Sequence, residues 1–179
     1  MTSTARYRPL AKAFHWLTAL LVLLTIPAAL IMLRPGIERS LQDPLFTFHK
    51  NIGVVILVLV ALRLAYRLLN PPPPLPASVP AWQRHAASAT HWLLYGLLLA
   101  MAISGYVRVT AGGFPLEVFD RVGLPRPVPR SDDLAEAAKA FHATLRYPLI
   151  ALIVIHIGAA LNHALIKRDG VFQRMLFNR

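Results

Sequence analysis

Four long apolar stretches, interrupted only by isolated polar positions, divide the chain: about Ala13 to Leu33, Phe46 to Leu69, Ala89 to Val107 and Tyr147 to Ile166. Each approaches the roughly 20 residues a helix needs to cross about 30 Å of hydrocarbon. The pattern predicts an all-α fold, an integral membrane four-helix bundle, with residues 1–179 forming one domain. Pro27 and Pro148 should bend the first and fourth helices without ending them, since membrane helices tolerate proline. Arg34 to Leu45 reads as a short loop. Asn70 to Pro80 holds Pro71-Pro72-Pro73-Pro74, a stiff polyproline II linker. Arg108 to Arg130 is the longest connection, with Gly112-Gly113 and prolines at 125, 127 and 129. Beyond it Asp133, with Glu136 three residues later, reads as the N-cap of a helix that extends the fourth span N-terminally from about 133.

Composition supports the membrane reading. Hydrophobic residues make up 56% and charged residues only 15%, against about 25% charged in soluble domains. The absence of cysteine excludes disulfides, thiolate zinc sites, iron–sulfur clusters and covalent c-type haem attachment. The net charge of +11 comes from basic residues that flank the apolar runs, where lipid headgroups and insertion topology place them. No nucleic-acid partner is therefore expected. The first apolar run outlasts a signal h-region and lacks a small-residue cleavage pattern after Leu33, so no cleavable signal peptide is expected.

Four spans put both termini on one side. That side carries ten basic residues and one acid, Asp169; the other carries nine basic residues and seven acids. Basic residues crowd the span ends on the first side, which favours both termini in the cytoplasm.

Seven histidines occur, and six of them, His15, His49, His91, His142, His156 and His163, lie in or at the ends of spans. Ionisable side chains in hydrocarbon are costly, and they mark functional sites by default. His142 and His156 are 14 residues apart, so they share a helix face and differ in height by about 21 Å. His163 follows seven residues later on that face. One helix thus offers nitrogen ligands at two depths. His49 lies level with His142, and His15 and His91 lie level with His156 and His163. Two haems explain this layering best, because each iron takes two imidazoles from helices facing across a bundle. Gly53, Gly96, Gly105 and Gly158 offer room for the ring. Arg63 and Arg67 offer partners for propionates. The spans hold no Asp or Glu, which argues against zinc. Depth alone does not choose between His15 and His91 as the partner of His156.

With Phe14-His15-Trp16 in the first helix, His49 and Gly53 in the second, His91 in the third, Phe141-His142, His156 and His163 in the fourth, and Lys167-Arg168-Asp169-Gly170 and Arg174-Met175-Leu176 at the end, the chain resembles the bacterial cytochrome b561 family, most closely its superoxide oxidase branch. The resemblance spans nearly the whole chain. It implies two b haems, one held by His15 and His156 toward the inside and one by His49 and His142 toward the outside. It implies a ubiquinone site at His91 and His163 in a bacterial inner membrane protein. The implied activity is that of a superoxide:ubiquinone oxidoreductase, which oxidises superoxide at the outer face and reduces ubiquinone near the inner face. Arg34, Arg39, Arg108, Arg121, Arg126, Arg130 and Lys139 on the outer side would steer the anion. One departure stands out: the superoxide oxidase branch has a lysine in the linker after the second helix, and here Ser78 falls about where it would be, with Arg84 or His85 as possible substitutes. The alternative function is a cytochrome b electron carrier, an anchor passing electrons between quinone and a partner dehydrogenase or hydrogenase subunit. A third is a haem-free bundle that moves a cation or scaffolds other proteins.

Overall fold

A computed structural model describes residues 6–123 and 126–177; Pro125 and Arg179 of the sequence reading lie outside this range. Every regular element among the described residues is a helix. Helix α1 runs Pro9–Met32, α2 Arg39–Leu69, α3 Ala81–Ala111, the short α4 Glu117–Arg121, and α5 Asp132–Leu161, which continues as a π-helical turn over Asn162–Lys167. The four long helices are long and apolar enough to cross a membrane. Pro9 opens α1 where its missing N–H costs nothing. Thr18 and Thr25 fold their hydroxyls onto the Phe14 and Leu21 carbonyls, both at 2.6 Å, which satisfies them inside the apolar helix. The helices run unbroken through Pro27 and Pro148.

Three local expectations are corrected. Most of 34–45 is helix, because α2 begins at Arg39 and carries Pro44 within it; a proline near a helix start removes few internal hydrogen bonds. The long connection after α3 contains α4. Ser131, not Asp133, caps α5: its backbone is extended (φ −161°, ψ 115°) and its hydroxyl accepts from the Leu134 N–H at 3.3 Å. Asp132 and Asp133 then occupy the first turn, at the positive end of the helix dipole.

Packing is uneven. Helix α1 packs along α2, α3 packs along α5, and α2 against α3 joins the two pairs; α5 has no comparable contact with α1 or α2. Helix α5 therefore stands off from the α1–α2 pair, and the interval between them is here called the slot. Val22, Ile56, Val60 and Tyr95 form the buried core, with Ile153 of α5 packed on it. Leu20, Val58 and Val154 are more than half exposed, on surfaces that suit lipid rather than water.

The two chain ends meet. The backbone of the C-terminal tail receives hydrogen bonds from α1: Lys12 Nζ donates to the Leu176 carbonyl at 2.7 Å and Trp16 Nε1 to the Met175 carbonyl at 2.8 Å. Arg174 is 1% exposed and donates to the Pro73 carbonyl at 2.6 Å. Lys167 reaches Gln83 of α3 at 2.6 Å. The N-terminal segment, the proline linker and the tail thus close one end of the bundle, here called the terminal end. The opposite end, carrying α4, is the loop end.

Candidate functional site

Five histidines gather into two clusters. At the loop end, His49 of α2 and His142 of α5 face each other with ring centroids 6.1 Å apart and planes at 82°. At the terminal end, His15 of α1 lies 6.2 Å from His156 of α5, with planes at 80°. His91 of α3 lies 5.7 Å from the same His156. Both α5 histidines therefore reach across the slot to the α1–α2 pair, one to each helix. His163, at the start of the π turn, instead pairs its Nδ1 with Asp169 at 2.6 Å. His85 is exposed.

The surroundings of each ring differ. His142 Nδ1 lies 2.9 Å from the Met101 carbonyl and 3.2 Å from Ser104 Oγ. A carbonyl only accepts, so Nδ1 carries the proton and the Nε2 lone pair is free to bind a metal. Gly105 makes this possible: a Cβ there would sit 3.1 Å from His142 Cε1, too close for the ring to keep its position. Arg108 interacts electrostatically with both His49 and His142. The buried Nδ1 of His49 has no close hydrogen-bond partner among the described residues, although the Thr25 backbone is near enough to act on the ring. His15 Nδ1 lies 2.9 Å from an Arg63 terminal nitrogen. Arg63 and Arg67 both stack over the Tyr95 ring, at 5.3 and 5.7 Å.

These residues fit a haem. An iron held by two imidazoles, with metal–nitrogen bonds of about 2 Å and ring centres about 1 Å behind the nitrogens, sets the centroids roughly 6 Å apart. Both cross-slot pairs have that separation. Nothing lies within 4 Å of where a Cβ would sit on Gly53, one turn after His49. Sequence reasoning could not find Met101, Ser104 or the Arg63–His15 contact, because these are cross-helix meetings with no local signature.

The profile of the family described as prokaryotic cytochrome b561 matches residues 6–178. This chain belongs to the prokaryotic cytochrome b561 family. The chain is also 36% identical over 172 residues to cytochrome b561 homolog 2 of Escherichia coli strain K12, covering 96% of this chain and 91% of that protein. It is 30% identical over 171 residues to the probable superoxide oxidase CybB of Yersinia pestis, covering 96% of each. Cytochrome b561 homolog 1 of Escherichia coli strain K12 is 30% identical over 167 residues, covering 92% of this chain and 93% of that protein. Membership makes this cytochrome b561 a bacterial membrane electron-transfer protein that carries b-type haem.

Proposed function

We propose that this cytochrome b561 is a superoxide:ubiquinone oxidoreductase with two b haems, held by His49 with His142 at the loop end and by His15 with His156 at the terminal end. The observation that carries the reading is the pair of cross-slot histidine contacts at 6.1 and 6.2 Å. Bound haem would supply one-electron oxidation and reduction at each end. The slot favours His15 over His91 as the partner of His156. Helix α3 packs directly on α5, whereas α1 stands across the gap that a macrocycle needs. Arg63 has no acceptor, so its contact with His15 Nδ1 and ligation through Nε2 exclude one another; ligation releases its guanidinium for a propionate.

The loop end faces outward in this reading, and the termini lie in the cytoplasm. Arg108 stands beside the loop-end pair and attracts an anion such as superoxide. Two superoxide anions give up one electron each, and ubiquinone takes up two electrons and two protons. His91 and His163 hydrogen-bond the quinone carbonyls. Asp169 holds the His163 Nδ1 proton, which leaves Nε2 to face the quinone. The test is spectral and then kinetic. Two low-spin b haems per chain, and quinone reduction that depends on superoxide, are expected; a two-haem protein inert to superoxide would overturn the activity.

One observation favours a second reading. Phe114, Val118 and Val122, in and beside α4, are 52%, 56% and 68% exposed, an apolar surface at the end of the bundle suited to a redox partner subunit. An electron carrier of that kind would co-purify with its partner and ignore superoxide.

A further inference from the structure

The two residues that follow His49 in α2 are tied to α4. Lys50 Nζ donates to Glu117 Oε1 and to the Pro115 carbonyl, both at 2.8 Å. Asn51 Nδ2 donates to Glu117 Oε2 at 2.7 Å and to the Thr47 carbonyl at 2.8 Å, while Asn51 Oδ1 accepts the Val118 N–H at 3.0 Å. Asn51 is 7% exposed, so these bonds are made largely out of water, where leaving them unmade is costly. Helix α4 has its own internal brace. Asp120 accepts the Leu116 N–H at 2.9 Å and pairs with Arg126, which also reaches the Phe114 carbonyl at 3.2 Å.

This clamp matters because the two loop-end histidines are held differently. The His142 ring is fixed by Met101, Ser104 and the close wall at Gly105. Nδ1 of His49 has no close hydrogen bond to fix the ring, only the influence of the Thr25 backbone, so its position depends more on the height and rotation of the α2 turn that carries it. The ties from outside α2 in the described hydrogen bonds of that turn run through Lys50 and Asn51, with a longer one from the Thr47 hydroxyl to Glu117 at 3.5 Å, and all of them lead to α4 and its flanks.

We infer that Glu117 is a positioning residue for His49: by clamping Lys50 and Asn51 it sets the α2 turn, and so does from the backbone what a ring hydrogen bond does for His142. The inference rests on the reading of His49 and His142 as axial ligands. It also separates the two charged pairs of the loop end by role. Lys50–Glu117 acts on α2, whereas Arg126–Asp120 only stiffens the α4 segment.

The test uses full-length holoprotein in detergent. Low-spin EPR reports the angle between axial imidazole planes, here 82° at the loop end, and haem loss to apomyoglobin reports how firmly each haem is held. In Glu117→Ala one of the two low-spin signals should move while the other stays. Its haem should leave on the order of tenfold faster, the usual effect of removing an outer-shell partner. Glu117→Gln keeps an acceptor for Lys50 and should fall between wild type and Glu117→Ala, which serves if the alanine variant folds poorly. Asp120→Asn releases only the internal brace and should leave both signals in place. Unchanged signals and haem loss in both Glu117 variants would overturn the inference, and so would an equal shift in Asp120→Asn. A wild-type protein with fewer than two bis-imidazole centres would overturn the ligand reading itself, visible before any variant is made.

Discussion

The two ends of the slot hold similar ring pairs in opposite electrostatic settings. At the loop end three ion pairs match charges: Lys50 with Glu117, Arg126 with Asp120, Lys139 with Glu136. His142 leans on a neutral carbonyl and a hydroxyl. At the terminal end His15 touches a guanidinium, Arg63 and Arg67 stack on aromatic rings, and Asp169 is the only acid on that side. A cavity of about 190 Å³ opens there among Arg6, Tyr7, Arg8, Tyr66, Asn70 and the proline linker, with a smaller one beside it reaching Arg63, Arg67 and Tyr95. One end sets nine basic residues against seven acids, the other ten against one. If both ring pairs hold haem as proposed, the same ring geometry serves different redox tasks, because the charge around it differs.

The sharpest way to break this comparison is to remove one ligand at a time. His142→Ala should take haem content from two per chain to about one and abolish electron transfer from the loop end. His156→Ala should do the same to the other haem, so pyridine haemochrome quantitation and reduced spectra of the two variants should be complementary. Next in size is Arg63→Met, which removes a positive charge beside His15. It should lower the midpoint potential of the terminal-end haem by on the order of 100 mV, the scale of one charge at this distance in a partly screened interior. The loop-end haem should not move in the same redox titration, and Arg63→Lys should change little. Smaller still is Gly105→Ala. Its methyl would press on His142 from 3.1 Å, which should shift the loop-end EPR signal while both haems remain bound.

The smallest effect is a pH dependence confined to the loop end. Burial pushes the Glu117 carboxyl up, but hydrogen bonds from Lys50, its own backbone N–H and Asn51 outweigh it and hold the group below its ordinary value of 4.5. A carboxyl so depressed contributes stability that is complete above 4.5 and is lost as pH falls through the folded value. The hydrogen bond from Arg126 likewise holds Asp120 below 3.8. Limited proteolysis between α3 and α5 should thus be flat from neutral pH down to about 5 and should rise only in stronger acid. A rise near pH 6 would contradict the clamp.

Much of this architecture is legible in the sequence, for identifiable reasons. Spans follow from uninterrupted apolar runs, and the two depths of the site follow from the 14-residue step between His142 and His156, because both signals are local and periodic. The expected fourth helix, extended back to about 133, begins at Asp132. What could not be read is set by pairing between distant segments. Glu117 meets Lys50 and Asn51 across more than sixty residues, and His142 meets Met101 across 41. The choice between His15 and His91 also depends on helix neighbours rather than spacing. Ser131 is obscured as the cap in the sequence because Asp133 with Glu136 offers the same short pattern two residues later.

The way the chain ends meet also fixes an order of events during biogenesis. Each cross-slot pair takes one member from α5, which is made after the other three long helices, and the terminal end is fastened by the carbonyls of Met175 and Leu176. The first three helices can enter the bilayer while translation continues, but neither imidazole pair exists until α5 joins them. A nascent chain stalled after α3 would therefore present His15, His49 and His91 without His142 and His156, so neither cross-slot pair can assemble before α5 is made.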